Sequence, residues 1–169
     1  MFSKEQYIHS LRHETHICKH LFGKMPEGGL DYRPTPEQRS MLELLQYLTT
    51  AASVPVKAIV ASDWSTVGAQ IEKSKELKVE DFCAAMDRQC QEVEKILAGI
   101  SEEEMLDREA QTPMGPFKLG EALVNFPLKF MACYRMQLFL YLKSAGVSTL
   151  SKFNCWGGID APQGETPGH

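Results

Sequence analysis

Four of the five histidines lie near the N-terminus at spacings that could bring them to one metal ion. They are His9, His13, His16 and His20, separated by steps of four, three and four residues. Such steps place side chains in a line along one side of a helix, and histidines four apart on an exposed helix bind nickel or zinc weakly. The line is centred roughly 180° from the apolar face of the same helix. Three interpretations stay open: a solvated surface, a contact between subunits, and a site for a metal ion or for sensing pH.

A buried ion pair is predicted between the first and last helices. Arg135 falls among apolar positions of the last helix, where an unpaired guanidinium would be costly. Glu14 lies on the apolar face of the first helix, so we expect the two side chains to meet. The alternative is that Arg135 extends to solvent and Glu14 lies at the edge of that face.

The cysteines give little support to thiol chemistry. There are five, an odd number, and none forms a CxxC pair, which is typical of reduced thiols in a cytoplasmic protein. Cys133 would be a nucleophile only beside a base, and its helix carries no histidine, so a buried thiol is expected there. Glycine-rich phosphate loops and the nucleophile elbow of hydrolases are also lacking in the sequence.

Helical periodicity places these residues on four long helices, and the class predicted is all-α, a four-helix bundle. A short extra helix is expected between helices 2 and 3, and no strand is predicted. Thr35 is predicted to cap the second helix, Pro55 to end or kink it, and Pro127 to kink the fourth. The predicted long helices cover 3–24, 35 to about Pro55, 79–100 and 121–144.

Two segments resemble the DinB-like (DNA-damage-inducible B, also called YfiT-like) four-helix bundles. YRPTPEQRSMLELLQYL, 32–48, resembles the start of that family's second helix, where a Pro-rich turn and a Ser lead to ELL and then a His. FMACYRMQLFLYLKSAG, 130–146, resembles its last helix, in which His, three residues, His, Arg, Gly and Gln precede a Leu-rich end. The resemblance spans most of the chain by layout and implies the same bundle.

The same resemblance implies that this chain lacks the family's usual metal site. Members often hold a divalent metal through three histidines, one in the second helix and two in the last. Position by position, these fall on Tyr47, Phe130 and Tyr134, and the Gly between Arg and Gln falls on Met136. A phenyl ring cannot ligate, and neutral tyrosine is a poor ligand for zinc or nickel compared with imidazole. No cofactor is therefore expected, and only the helix-one histidines remain as weak metal candidates.

The aromatic replacements could pack as plain core or line a pocket that orients a small ligand with two hydroxyls. The residues expected to form or border such a pocket are Glu14, Glu43, Tyr47, Lys129, Phe130, Tyr134 and Arg135. One hypothesis is a non-catalytic small-ligand-binding or interaction protein that forms a homodimer. The alternative is a transferase-type enzyme of the DinB-like superfamily, acting on a small thiol or apolar substrate.

Composition limits the remaining function classes. The chain has 169 residues, 43% hydrophobic and 24% charged, which suits one soluble domain over 1–169, with a loose tail from about 157. Its net charge is −4 without a basic cluster, so no nucleic-acid partner is expected. No apolar run approaches the ~18 residues that span a bilayer, and the polar N-terminus is unlike a signal peptide. We therefore expect a cytoplasmic protein without a membrane partner.

Overall fold

The computed structural model of the chain describes residues 3–162 and begins with the predicted first helix. This helix, α1 (Lys4–Phe22), starts at Ser3, whose hydroxyl accepts from the Gln6 N–H while the Gln6 side chain accepts from the Ser3 N–H. The reciprocal pair satisfies two backbone donors that the helix itself leaves free. The face that α1 buries includes Tyr7, Leu11, Cys18 and Leu21.

The second helix begins later than predicted. In α2 (Met41–Leu48), the Ser40 hydroxyl accepts from the Glu43 N–H at 3.2 Å and the Glu43 carboxylate accepts from the Ser40 N–H at 2.8 Å. Thr35 instead lies in an exposed turn before the helix, so the predicted start there was wrong. TPEQ and SMLE satisfy the same capping pattern, and the second one is where the buried apolar face begins.

The second predicted helix is divided into two. α2 is followed by α3 (Ser53–Ala61), and the two axes differ by 43°. Pro55 lies in the first turn of α3, where a missing N–H costs no hydrogen bond. Gln89 fills the break: its Oε1 accepts from the Ala52 N–H at 3.1 Å and its Nε2 donates to the Leu48 carbonyl at 2.7 Å.

Within residues 3–162, no single helix is long and apolar enough to cross a bilayer, whereas α2 and α3 together, across their bend, meet the criterion by length and composition. Most of their residues are buried in the protein interior.

The middle of the chain follows the predicted order. The short extra helix is α4 (Val67–Ser74), and the third long helix is α5 (Phe82–Ala98), which ends at Gly99. Ser101 caps the short α6 (Glu102–Asp107) through a reciprocal pair with Glu104.

A hairpin follows α6, where no strand was predicted. Strands β1 (Glu109–Thr112) and β2 (Gly115–Lys118) pair antiparallel, with Ala110 opposite Phe117. The expectation of no strand was wrong, because each strand has only four residues and β2 contains a proline, too little for periodicity to register.

The last predicted helix is one helical rod with a wide turn in it. α7 (Leu119–Leu123) leads through a π-helical turn, Val124–Leu128, into α8 (Lys129–Ser144). Pro127 lies in that turn, at the predicted kink. A second π-helical turn, Phe153–Gly157, belongs to a segment that we call the strap, residues 151–160, which returns to pack on α1 and α8.

The core lies between four helical walls, as in a four-helix bundle. α1 packs between α5 and α8, α2 packs on α8, and α3 packs on α5. Large side chains from every wall are fully buried, among them Tyr7, Leu11, Leu44, Leu45, Ile59, Phe82, Met86, Leu97 and Leu138. The predicted bundle is therefore confirmed, with the hairpin and short helices added at its periphery.

Candidate functional site

Packing of α2 on α8 brings together Tyr47 and Tyr134, two of the positions that the resemblance assigned to ligand histidines. The ring centroids of Tyr47 and Tyr134 lie 4.7 Å apart, edge to face at 64°. The Arg39 guanidinium covers this pair, 4.1 Å from the Tyr47 ring centroid and 5.5 Å from that of Tyr134. In the described part of the chain no carboxylate lies within ion-pair distance of Arg39. The two aromatic faces and solvent therefore stabilise its charge.

The loop before α2 is held in a way that fixes Arg39. The Tyr141 hydroxyl donates to the Arg39 carbonyl at 3.1 Å, and Gln137 donates to the Tyr141 oxygen at 2.6 Å. The Arg33 guanidinium donates to the Gln38 carbonyl. Side chains of α8 thus determine where the loop backbone runs, and the backbone determines where the Arg39 guanidinium lies.

A cleft of about 320 Å³ opens beside Arg39 and Tyr47, between the loop, α2 and α4. Gln46, which is buried, donates to the Lys75 carbonyl at 2.7 Å and so holds the end of α4 against α2. The volume is at the lower end of the range for small-molecule sites. The residues that line the cleft are Arg33, Glu37, Gln38, Arg39, Glu43, Tyr47, Ile71, Glu72, Ser74 and Lys75.

Most charges around the cleft are already paired. Arg33 contacts Glu43 at 2.9 Å, and Lys75 contacts Glu72 at 2.7 Å. The Ser40 N–H, together with Arg33, holds the pKa of Glu43 below its usual range. Glu37 is exposed on the loop, where solvent screens its charge. Of the cations that line the cleft, the half-buried Arg39 is therefore the one that remains available to a ligand.

Tyr47 is kept protonated by its surroundings. Burial, together with the neighbouring Tyr134, raises the pKa of Tyr47 to about 12. The hydroxyl is then a neutral hydrogen-bond donor at physiological pH, because the phenolate is disfavoured away from water. It is suited to orienting an acceptor and unsuited to removing a proton from a substrate.

Phe130 and Lys129 lie one turn before Tyr134 on α8. Phe130 packs on Phe126 at 6.2 Å between ring centroids, within a cluster that also holds Phe117 and Trp64. Lys129 is exposed and donates to the Asn125 side chain. Phe130 thus extends the aromatic packing towards the hairpin, and neither Phe130 nor Lys129 is among the residues that line the cleft.

Glu14 and Arg135 form the predicted contact but lie outside the cleft. Arg135 Nε donates to Glu14 Oε2 at 3.0 Å and Nη2 to Oε1 at 3.4 Å, with only 3% of the Arg135 side chain exposed. Arg135 Nη1 also donates to the Cys155 sulfur at 3.3 Å, and the guanidinium lies 4.7 Å from the Trp156 ring centroid. The pair therefore sits beneath the strap.

The strap also contacts three of the four histidines on α1. The rings of His13 and His16 contact the carbonyl oxygens of Trp156 and Gly158 at 2.9 and 3.0 Å, and His20 Nε2 lies 3.0 Å from Asn154 Nδ2. His9 is exposed. The stripe faces away from the core, as predicted, and it serves as a contact within the chain.

The strap includes residues 157–160, the first part of the tail that the sequence predicted to be loose. Asn154, Cys155 and Gly158 are buried, and Lys24 pairs with Asp160 at 2.6 Å. The remaining tail, residues 163–169, lies outside the described residues.

All five cysteines are free thiols. Cys133 is exposed, so the expectation of a buried thiol there was wrong: its side of α8 faces outward, whereas Met131 and Arg135 face inward. Cys18 and Cys155 are buried, and burial raises the pKa of each thiol.

The residues at the positions that the resemblance assigned to metal ligands do not fit a metal. Phe130 offers no donor atom, and Tyr47 is a protonated phenol covered by a cation. Across residues 3–162, no group of three or more His, Cys, Asp or Glu side chains is placed to hold an ion. The residues present thus disagree with the metal site that the resemblance would bring.

Comparison with known proteins identifies the fold. No family model and no curated protein matches the sequence. Among solved structures, the chain is similar to the crystal structure of a DinB-like protein from Bacillus subtilis, with a TM-score of 0.62 and 19% identity. The match covers 83% of this chain and 92% of that one. The chain has a DinB-like fold.

Within this DinB-like fold, the candidate site contains residues that helical periodicity and motifs in the sequence do not reveal. Arg39, Arg33 and Ile71 lie on a loop and a short helix, whose positions depend on tertiary hydrogen bonds rather than on periodicity. The sequence does hold one signal for Arg39: it directly precedes the Ser40 cap, and a residue at that position borders the first turns of α2.

Proposed function

We propose that this protein binds a small organic carboxylate, without catalysing a reaction on it, in the cleft beside Arg39 and Tyr47. The observation that carries the proposal is the Arg39 guanidinium, which lies over two tyrosine rings without an acidic partner in the described residues. A half-buried guanidinium of this kind gains most from a planar anion that it can bind through two parallel hydrogen bonds.

The chemistry around Arg39 favours an anion with a small apolar body. Tyr47 supplies a phenol that stays protonated and can donate to a carboxylate oxygen. Ile71 gives the opposite wall an apolar side chain, and a cleft of about 320 Å³ admits a ligand of modest size.

Binding is better supported than the transferase alternative. A transferase acting through tyrosine would need a phenolate or a nearby base, and the raised pKa of Tyr47 opposes the first. Cys133, the exposed thiol nearest in sequence to Tyr134, is not among the residues that line the cleft.

Titration calorimetry with benzoate, phenylacetate and hexanoate tests the proposal, with benzyl alcohol as an uncharged probe. Arg39→Met keeps the aliphatic stem and removes the charge, and we expect it to weaken carboxylate binding about tenfold or more. Lys75→Met is the matched control, since Lys75 lines the same cleft but is paired with Glu72. Equal affinity of wild type and Arg39→Met for every carboxylate, or no binding by wild type, would overturn the proposal.

A further inference from the structure

The strap is held on α1 by histidines that divide into two kinds. His13 and His16 meet backbone carbonyls, to which a ring N–H donates whether the ring is neutral or protonated. His20 meets the side-chain amide of Asn154 instead. Protonation of the first two thus keeps their hydrogen bonds, and His20 is the one whose contact depends on its charge.

The amide of Asn154 is oriented by its other contacts. Its Oδ1 accepts from the Ser151 N–H at 2.8 Å and from the Ser151 hydroxyl at 3.2 Å, so Nδ2 is the atom that faces His20. Nδ2 also donates to Asp160 at 3.0 Å. His20 Nε2 must therefore accept, which only the neutral ring can do.

The charges around His20 act in opposite directions. Asp160 lies 3.7 Å from His20 Nε2 and favours the protonated ring, but Lys24 contacts the same carboxylate at 2.6 Å and opposes it, as does His16. Burial adds to the opposition and is the largest cause of a lowered His20 pKa. On the other side of the strap, Arg135 contacts Cys155 and keeps its charge at every relevant pH.

We propose that the strap is a pH-sensitive latch, which the neutral His20 ring holds closed through Asn154 and which protonation of His20 releases locally. Release uncovers the Cys155 thiol and the Glu14–Arg135 pair while the bundle stays folded.

The sign follows from linkage. A base whose pKa is lowered in the docked state favours docking above its ordinary pKa, near 6.5. Docking weakens as pH falls below that value, and the loss is complete once pH is below the lowered pKa. The docking constant changes about tenfold for each unit of lowering.

Cysteine labelling on the intact chain tests the latch. Short pulses of N-ethylmaleimide between pH 8 and pH 5, followed by mass spectrometry of each cysteine peptide, report three sites at once. Cys133 is exposed and corrects for the pH dependence of the reagent, and Cys18, fully buried in the core, reports global unfolding. We expect the labelling ratio of Cys155 to Cys133 to rise as pH falls below 6.5, with Cys18 still protected.

Two variants and one spectroscopic measurement make the result decisive. His20→Gln offers a neutral acceptor to Asn154 and should give a ratio that does not change with pH, whereas His9→Gln, an exposed residue of the same stripe, should behave as wild type. NMR titration of wild type should give a His20 pKa below 6.5 by the amount that the labelling ratio requires. A His20 pKa at or above 6.5, a flat wild-type ratio, or Cys18 labelled in step with Cys155 would overturn the proposal.

Discussion

At the scale of single residues, the Glu14–Arg135 pair shows how a buried charge is tolerated. The Arg135 guanidinium is almost fully buried. It contacts a carboxylate on α1, a sulfur on the strap and the Trp156 ring. Two charges in an interior lose hydration that their attraction only partly restores. We therefore expect the pair to specify which elements meet more than it adds to stability.

Removing one partner should be worse than removing both. Glu14→Gln leaves the Arg135 charge buried beside a neutral amide, and we expect a loss of about 3 kcal/mol in the free energy of unfolding, the size typical of a broken buried pair. Glu14→Leu combined with Arg135→Met should lose less than that, because no unpaired charge remains. Urea denaturation of the three proteins measures both, and a larger loss for the double variant would contradict this account.

A second residue-scale prediction concerns Gly158 in the strap. Its φ is +62°, and a Cβ there would meet the His16 ring at 2.7 Å and the Ile17 Cα at 3.2 Å. Gly158→Ala should weaken docking by about 1–2 kcal/mol from the left-handed backbone alone, which raises Cys155 labelling about tenfold at neutral pH. Gly157→Ala is the control, since its Cβ would meet only the flexible Ile159 side chain. Equal labelling of the two variants would show that Gly158 has no special role.

At the scale of elements, the sequence predicts long amphipathic helices well and everything short poorly. The faces of α1 and α5 were predictable because burial repeats along each with the helical period, and the Ser3 cap of α1 was predictable from its capping box. The hairpin was missed, since four-residue strands carry too little pattern. The start of α2 was misplaced because two neighbouring segments fit one capping rule, and tertiary contacts of Tyr141 with the Arg39 carbonyl decide between them.

The two candidate caps of α2 can be separated by mutation. Ser40→Ala removes the hydroxyl that accepts from the Glu43 N–H, so we expect a loss of about 1 kcal/mol in the free energy of unfolding. Thr35→Ala alters an exposed turn and should change stability by less than about 0.5 kcal/mol. Denaturant midpoints of the two variants, compared at equal m-values, give the answer. A larger effect from Thr35→Ala would place the functional cap where the sequence pattern first suggested it.

At the scale of the whole molecule, the sequence predicts the fold better than it predicts the candidate site. The order of helices was predictable, and it matches a DinB-like crystal structure over most of both chains. Tyr47 and Tyr134, two of the positions that the resemblance assigned to ligand histidines, do meet, with 4.7 Å between their ring centroids. Arg39 could not be predicted in the same way, because its position depends on a loop conformation that is set by α8. The fold thus determines that α2 meets α8 at Tyr47 and Tyr134, while the local side chains determine which ligand can bind there.

The assignment of three positions on α2 and α8 to ligand histidines can be tested by introducing histidine at each of them. If Tyr47, Phe130 and Tyr134 occupy the positions of three ligand histidines, a variant with Tyr47→His, Phe130→His and Tyr134→His should bind one equivalent of Zn²⁺ or Ni²⁺. Binding to the folded state alone would stabilise it by about 2.7 kcal/mol at a metal concentration 100 times the dissociation constant. Thermal unfolding with and without metal measures this gain.

The controls separate the rebuilt site from the surface histidines. Wild type carries the helix-one stripe and should show no stoichiometric binding, because His13, His16 and His20 are engaged by the strap. A triple glutamine variant at Tyr47, Phe130 and Tyr134 disturbs the same packing without supplying imidazole, so its stability should not respond to metal. If the triple histidine variant folds and still gains nothing from Zn²⁺ or Ni²⁺, then α2 and α8 do not present these positions to a common point. In that case the positions that the resemblance assigned to ligand histidines would be wrong.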